Sequence, residues 1–392
     1  MATSYDAVIV GGGVIGSAVA YFLAAEPAFA GSVLVVERDP SYVDGSTSRS
    51  VGGIRQQFAT PENIDMSRFA IEFVRQAGEH LGVDGDAPEL GFVEAGYLFL
   101  ATPEGMPTLT RNHALQTARG ADVALLAPAE LAARFPWLAT DDLGGGALGL
   151  SGEGWLDAYA LLQAFRRKAR ALGVSYVADE AVGLVLDGGR VATVRLARAG
   201  EIGCGVVVNA AGPRAATVAA MAGIDLPVRP RKRFVYVVDC RTAIAGCPLL
   251  VDPNGVYVRP EGPHFLCGAS PPADADPDCL DLEVAYGLYE DLVWPTLARR
   301  IPAFEALKLV RAWAGHYAYN TLDQNALLGL HPAVANLYFA NGFSGHGLQQ
   351  APAVGRAIAE LVTFGAYRTL DLGRLSVGRV VDERPIREDN VV

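Results

Sequence analysis

The sequence predicts an α/β chain, α+β overall, in which a Rossmann-type domain is joined to a second domain built on an antiparallel sheet. Three observations carry this. Tyr5 to Arg38 reads as strand, glycine turn, helix and strand. From Leu90 the texture shifts to strand-forming runs interrupted by alanine-rich helix, and Leu337 to Phe364 closes the chain with a further strand, glycine turn and helix. At 392 residues the chain exceeds what one core usually organises, so two domains are expected.

The opening unit is an apolar strand, Asp6 to Val10, followed by Gly11-Gly12-Gly13-Val14-Ile15-Gly16. Gly11 permits the tight turn, Gly13 has no Cβ to block an approaching pyrophosphate, and Gly16 lets the helix pack on the strand. Val14 and Ile15 open that helix and share helical spacing with Ala18, Val19, Phe22 and Leu23. The N–H groups of its first turn, in the positive end of the helix dipole, suit an anion. Glu37 ends the second strand about twenty residues past the glycines, where a carboxylate can accept both hydrogen bonds of a ribose diol. A glycine turn alone would be an ordinary βαβ connection; with the strand, helix and terminal acid it is a dinucleotide fingerprint.

Composition narrows the partners. The chain is 51% hydrophobic with 44 Gly and 23 Pro, which suits a compact enzyme rich in turns. Net charge is −11 and the 32 basic residues form no long cluster, so neither nucleic acid nor an anionic membrane surface is an expected partner. No apolar run reaches the roughly eighteen residues of a membrane span. The fingerprint begins at Tyr5, so no leader peptide is expected and the expected compartment is cytoplasmic. Cys204, Cys240, Cys247, Cys267 and Cys279 lack CxxC spacing and read as thiols of a reducing compartment. His80, His113, His264 and His331 have no partner at metal spacing, and no metal site is expected.

In chain order, Gly45 to Arg55 is a run of small, hydroxyl-bearing and glycine residues. It is either a surface loop or backbone lying close to a ligand, and its place after the dinucleotide strand favours the second. Thr60 and Pro61 open a helix carrying Ile64, Phe69, Phe73 and Val74. Gly91 to Leu100 reads as strand, and Asp157 caps a helix that stops at Gly173. Val174 to Val177, Val182 to Leu186 and Val191 to Leu196 read as a meander turning at Asp187-Gly188-Gly189. Val206 to Pro213 is an apolar strand running into small residues, either abutting a cofactor or closing a tight βα turn. Pro227 to Cys240, Val256 to Gly268 and Val310 to Tyr319 are strand-like, and Leu280 to Arg300 reads as a long helix interrupted near Pro295. The last element, Leu337 to Ala340 running into Asn341 to Gln350, repeats the logic of the first. Two such ends suit an extended ligand with two polar parts.

At Val10 to Gly16, Glu37-Arg38, Ser46 to Arg55, Gly154 to Leu161, Asn209 to Pro213 and Asn341 to Gly347, the chain resembles the D-amino-acid-oxidase-like FAD-dependent oxidoreductases. The branch is that of sarcosine oxidase, glycine oxidase and dimethylglycine dehydrogenase. One group within the family also shares Asn320 to Asn325, Gly342 to Pro352 and the tail ending Asn390-Val391-Val392. The resemblance implies FAD rather than NAD, held by Gly11, Gly13, Val14, Ile15, Gly16 and Glu37, with Arg38 at the adenosine end. It places Ser46, Ser48, Arg49, Gly52 and Gly53 along the middle of FAD and the ring. Val182 would touch adenine through its backbone, and Ala211-Gly212 would flank the pyrophosphate. Gly342, Ser344, Gly345, His346, Gly347 and Leu348 would face the pyrimidine edge, where N–H groups stabilise the reduced ring's charge.

On the substrate side, the resemblance places Arg55 where a carboxylate-binding arginine sits, and a guanidinium fork suits that role. Gln349 stands where the family's sarcosine oxidase has a carboxylate-holding lysine. His316 falls near the cysteine that tethers flavin there, so FAD is expected to be non-covalent, with a histidine linkage at His316 the open alternative. Tyr317 falls near the substrate arginine of glycine oxidase. Leu266 falls near the lysine credited with oxygen activation, which tilts the expectation toward a dehydrogenase. His346 either faces the ring or caps the last helix, while Tyr257, Tyr317 and Tyr319 either line the pocket or belong to the core.

The resulting expectation is a discontinuous FAD-binding domain (residues 1–88, 150–225 and 326–392) and a substrate-binding domain (residues 89–149 and 226–325), with the pocket between them. The expected reaction is oxidation of the C–N bond of a secondary, N-methylated or cyclic amino acid or small amine. Hydride would pass to flavin N5, leaving an imine. A flavin-bearing assembly or interaction protein without turnover, and an NAD-linked dehydrogenase, are the alternatives.

Overall fold

The structure is a computed structural model that describes residues 2–388; the tail Asn390-Val391-Val392 noted above lies outside them. Two eight-stranded sheets organise the chain. In the first, β1 (Ser4–Val10) lies between β2 (Val33–Glu37) and β11 (Gly200–Asn209), with β8 (Ser175–Ala178) beyond β2 and β18 (Leu337–Asn341) beyond β11, all parallel. β17 (Leu327–Leu330) closes one edge, and the hairpin β9 (Ala181–Asp187) and β10 (Arg190–Leu196) pairs on β11, all antiparallel.

Side chains of β1 and β2 alternate between two cores, as the two-residue period of a strand requires. Ala7, Ile9, Val33 and Val35 point into the cluster under α1 (Val14–Ala25), α2 (Pro61–Arg75), α3 (Ala158–Ala171) and α4 (Gly347–Phe364). Val8, Val10, Leu34 and Val36 point to the opposite cluster with Leu184, Val194 and Val218. Both faces are thus covered, as a parallel sheet needs. Tyr21, Phe22, Phe73 and Phe165 interlock between α1, α2 and α3 with ring centroids 4.8–6.5 Å apart.

The second sheet runs β16 (Lys308–Asn320), β12 (Val228–Asp239), β15 (His264–Gly268), β14 (Tyr257–Glu261), β13 (Leu249–Val251), β4 (Tyr97–Ala101), β6 (Gly145–Gly149) and β5 (Val123–Leu126). It is antiparallel except where β13 joins β4. A two-stranded ribbon, β3 (Gly53–Ile54) with β7 (Gly154–Trp155), completes the strands. The expected α/β fold with an antiparallel second sheet is therefore present. Among the described residues, no helix is long and apolar enough to cross a membrane, no group of acidic, histidine or cysteine side chains could hold a metal ion, and the five cysteines are unpaired.

Local expectations fare unevenly. Asp157 caps α3 by accepting the Ala160 N–H at 2.9 Å, and Gly173 follows the helix at φ +94°. Three expectations are corrected. The strand expected over Gly91 to Leu100 starts only at Tyr97, because Gly91 and Gly96 adopt positive φ. The stretch expected to open a meander at Val174 becomes β8, parallel to β2, because α3 returns the chain across the sheet as a βαβ crossover. The helix expected over Leu280 to Arg300 starts at Tyr286 and widens into a π turn, Tyr289–Val293, just ahead of Pro295, which has no N–H to donate.

Helices α1 and α4 meet at Gly355, where an added Cβ would lie 2.8 Å from the Ala18 carbonyl carbon and from the Phe22 ring. Gly355→Val is expected to cost about 1–3 kcal/mol of stability, seen as a lower urea midpoint at unchanged slope.

Candidate active site

The carboxyl ends of β1, β2, β11 and β18 open onto one cleft, which β12 and β16 of the other sheet close from the far side. At its floor, Gly11 turns off β1 at φ +103°, where an added Cβ would lie 2.4 Å from the Ala210 carbonyl oxygen. An added Cβ at Gly16 would lie 1.9 Å from the Gly11 carbonyl oxygen, so α1 packs against the turn only because that position is glycine. The first turn of α1 carries no acidic residue, and Val14 N–H donates to Thr47 Oγ1 at 3.3 Å. At Gly13 the nearest atom to an added Cβ is 3.6 Å away, leaving the backbone open toward the cleft. Glu37 accepts the N–H groups of Gly12 and Asp39, both at 2.8 Å. It therefore braces the glycine turn, and each carboxylate oxygen keeps a second lone pair for a ligand.

The expected cofactor residues Gly11, Gly13, Val14, Ile15 and Glu37 line the cleft, as do Ser46, Arg49 and Gly53 from the following loop. Ala211 and Gly212 line it from the end of β11, and Gly345, His346, Gly347 and Leu348 from the last turn. The remaining expected residues stand off its wall. Gly16 supports the turn from behind, Ser48, Gly52, Gly342 and Ser344 sit within the loops, and Arg38 is exposed at the rim of the sheet. Val182, on β9, is 46% exposed and does not line the cleft.

The loop from Gly45 to Arg55 is not a free surface loop. Arg49 ties it to β16, donating to the carbonyls of Val43 and Ala314 at 3.1 and 3.0 Å and pairing with Asp44. The hydroxyls of Ser46 and Ser48 are buried and have no hydrogen-bond partner among the described residues, a cost that a polar ligand at Ser46 would remove. An open glycine backbone, a helix end without acids, an acid at the end of β2 and an unpaired serine on the wall together fit the FAD that the sequence resemblance implies.

The other end of the cleft is built around Arg55, which is 2% exposed. Its Nη1 donates to the Gln57 carbonyl, its Nη2 lies 3.1 Å from His346 Nε2, and its guanidinium carbon stands 3.9 Å over the Phe58 ring. Burial lowers its pKa, opposed by nearby Tyr97, Glu388 and Glu153. Guanidinium only donates, so His346 Nε2 must accept, which leaves the ring neutral with its proton on Nδ1. Burial first and the Arg55 charge second hold the His346 pKa well below its ordinary value. Although His346 is the N-cap residue of α4, its side chain makes no capping bond; the ring lines the cleft. Gln349 Oε1 accepts the Arg55 backbone N–H at 2.7 Å, so its amide has chiefly N–H donors to offer.

Tyr257 and Tyr317 also line this end, while His316, which lines the cleft next along β16, has Asp281, Lys232 and Arg49 as its charged neighbours. His316 Nε2 donates to the Asp281 carbonyl at 2.9 Å. Burial lowers the His316 pKa and raises those of Tyr257 and Tyr317, so the tyrosines stay neutral. Leu266 packs with Val235 and Val237 and does not line the cleft.

Several lining residues escaped the sequence reading, Val235 and Leu249 among the apolar ones and Tyr97 and Arg233 among those with polar groups. Tyr97 opens β4, and Arg233 on β12 pairs bidentately with Asp276 at 2.8 and 2.9 Å with its guanidinium 5.0 Å from the Tyr317 ring centroid. Tyr97 stood within a run read only as strand. Arg233 lies in the charged run Arg229 to Arg233, where nothing local marks which side chain meets the cleft.

A family model described as FAD dependent oxidoreductase matches residues 6–361. The chain is 44% identical to FAD-dependent oxidoreductase domain-containing protein 1 of Xenopus laevis, covering 99% of this chain and 85% of that protein. Among solved structures, L-proline dehydrogenase from P. horikoshii is similar at a TM-score of 0.87 and 27% identity, covering 98% of this chain and 100% of that one. Glycine oxidase from Geobacillus kaustophilus is similar at a TM-score of 0.82 and 26% identity, covering 96% and 99%. The family resemblance drawn from the motifs is borne out.

Ser46→Ala is expected to weaken FAD binding about fivefold, near 1 kcal/mol for one hydrogen bond. Fluorescence titration of FAD-stripped protein measures it, and an unchanged affinity would remove Ser46 from the cradle.

Proposed function

The chain belongs to the FAD-dependent oxidoreductase family and its cofactor is FAD; from that premise we propose that it oxidises the C–N bond of a secondary, N-methylated or cyclic amino acid to the imine. FAD, when bound, supplies the acceptor for the hydride. The observation that carries the reading is the meeting, in one cleft, of the glycine-lined strand ends with the buried Arg55, His346 and Gln349 group. A guanidinium has five N–H donors in a fork, so Arg55 can hold Gln57, His346 and a substrate carboxylate together. Neutral His346 fixes the fork without adding charge, and Gln349 holds the Arg55 backbone. Tyr97, Tyr257, Tyr317 and Leu249 give the same end an apolar wall that excludes water and orients the carbon to be oxidised.

An amino acid substrate is supported by that wall and by the names of the similar proteins, L-proline dehydrogenase and glycine oxidase, and the former favours a cyclic secondary amine. We assign the dinucleotide cradle to residues 1–88, 150–225 and 326–392 and the substrate wall mainly to residues 89–149 and 226–325. Transfer of electrons to a carrier, with FAD held non-covalently, is the favoured second half of the cycle. Leu266 is apolar and packed among aliphatic residues, whereas a cation beside the reduced ring would favour superoxide.

Anaerobic mixing of the FAD-loaded protein with a panel of N-methyl and cyclic amino acids should bleach the flavin absorbance with at least one of them. Failure with all, while dithionite still bleaches it, would sink the reading. Arg55→Met is expected to raise KM for carboxylate substrates at least about tenfold, roughly 1.4 kcal/mol of lost binding; an unchanged KM would mean that Arg55 is not the anchor.

A further inference from the structure

Behind Arg55 lies a carboxylate that the reading above does not use. Glu153 is fully buried, and it sits outside the cleft lining. Its Oε1 accepts the backbone N–H groups of Gln56 at 2.6 Å and Gln57 at 3.2 Å, and its Oε2 accepts Gln57 Nε2 at 2.8 Å. Room for it exists only because residue 149 is glycine, where an added Cβ would lie 1.9 Å from Oε2. The Gln57 carbonyl in turn takes Arg55 Nη1. One residue therefore separates this carboxylate from the guanidinium.

We propose that Glu153 is a positioning residue of the carboxylate site that also sets its charge: it holds the Gln56–Gln57 turn on which the Arg55 guanidinium rests, and its protonation governs how strongly Arg55 attracts an anion. The proposal rests on the reading of Arg55 as anchor. With Glu153 neutral, the buried cluster carries one more unit of positive charge than with it ionised, whatever Glu388 contributes from the other side. With Glu153 ionised, that extra charge is gone, and an incoming carboxylate meets a weaker field. In either state Oε1 can accept the Gln56 and Gln57 N–H groups, so the clamp on the turn is kept; protonation at Oε2 weakens only the bond from Gln57 Nε2, which also donates to the Tyr97 carbonyl at 3.1 Å.

Burial raises the Glu153 pKa to about 7, with the Gln57 and Gln56 hydrogen bonds and then the Arg55 charge pulling the other way. Four groups around this cluster are shifted away from that midpoint. The pKa values of Tyr97 and Tyr317 are pushed up by burial and that of His346 well down, and Glu94, bonded to Gly152 N–H and Arg75, is held low. Glu388 faces Arg55 from the other side, where it accepts the N–H groups of Ala59 and Thr60. The sign follows by linkage: an anion bound at Arg55 favours the protonated form of Glu153, so anion affinity is highest below about pH 7 and falls as pH rises through it.

The test uses the FAD-loaded protein and acetate, a carboxylate that stays ionised across the range, followed by calorimetry and by the flavin absorbance. Wild-type affinity is expected to fall about fivefold or more between about pH 6 and about pH 8. Glu153→Gln, an uncharged mimic of the protonated form, should show no such fall and should match wild type at the lower pH. A Glu153→Gln variant that keeps the wild-type slope, or a wild type without a slope, would overturn the proposal. Wild-type calorimetry in two buffers of different ionisation enthalpy tests it without any substitution: net proton uptake on acetate binding near pH 7 is expected, and none would overturn it. Arg55→Met separates the two readings. If it binds acetate as wild type does, the anchor is wrong; if it loses acetate while Glu153→Gln keeps the slope, only the role of Glu153 falls.

Discussion

The parallel pairing of β1 with β2 on one side and β11 on the other is the constraint on which the site depends. Gly11 N–H donates to the Val36 carbonyl, and Ala210 N–H donates to the Val10 carbonyl, each at 2.9 Å, so three strands end in line. Loops leaving parallel strands at their carboxyl ends gather on one edge of the sheet, and that edge is where helix amino ends and open backbone can meet a ligand. The glycine turn, Glu37, the Ser46 loop and the small residues after β11 are neighbours for this reason alone.

A second set of contacts keeps the two ends of the chain on the same cleft. Asn320, at the end of β16, donates to Asp323 Oδ1 at 2.7 Å and to the Asn325 carbonyl at 2.6 Å. Asp323 also accepts Arg379 Nε at 2.9 Å, and Asn325 Oδ1 accepts Asn63 Nδ2 at 2.7 Å. The run Asn320 to Asn325, notable in the sequence for its resemblance, is therefore a buried polar knot that joins the second sheet, the start of α2 and the segment around Arg379. Such a knot is costly if any member lacks a partner, which makes it a specifier of one arrangement more than a source of net stability.

The burial of Arg55 gives the cleft its character. A guanidinium taken out of water holds its charge only where aromatic faces, a carbonyl, a neutral imidazole and nearby carboxylates offset the desolvation. Burial depresses the His346 pKa, helped by the Arg55 charge, and raises those of Tyr97 and Tyr317 against it, so the imidazole and both phenols stay neutral around the guanidinium. Arg233, by contrast, is matched by Asp276 with both partners largely buried, and contributes shape and a cation over Tyr317 more than net charge.

Sequence by itself determined what is written in short-range patterns. The period-two and helical runs, the Asp157 cap with its Gly173 stop, and the glycine spacing marked most strands of the first sheet, though not β17, and most of the residues expected at the cofactor, because those forces act within a few residues. Tertiary structure alone decided what depends on distant partners. It set β8 beside β2, began β4 at Tyr97, chose Tyr97 and Arg233 as lining residues, and put Glu153 behind Arg55. The bond between Arg55 and Gln349 spans 294 positions of chain, and Glu153 reaches Gln56 across 97. No local propensity records such a contact; it exists only after the strands have paired and the cores have closed around the charge.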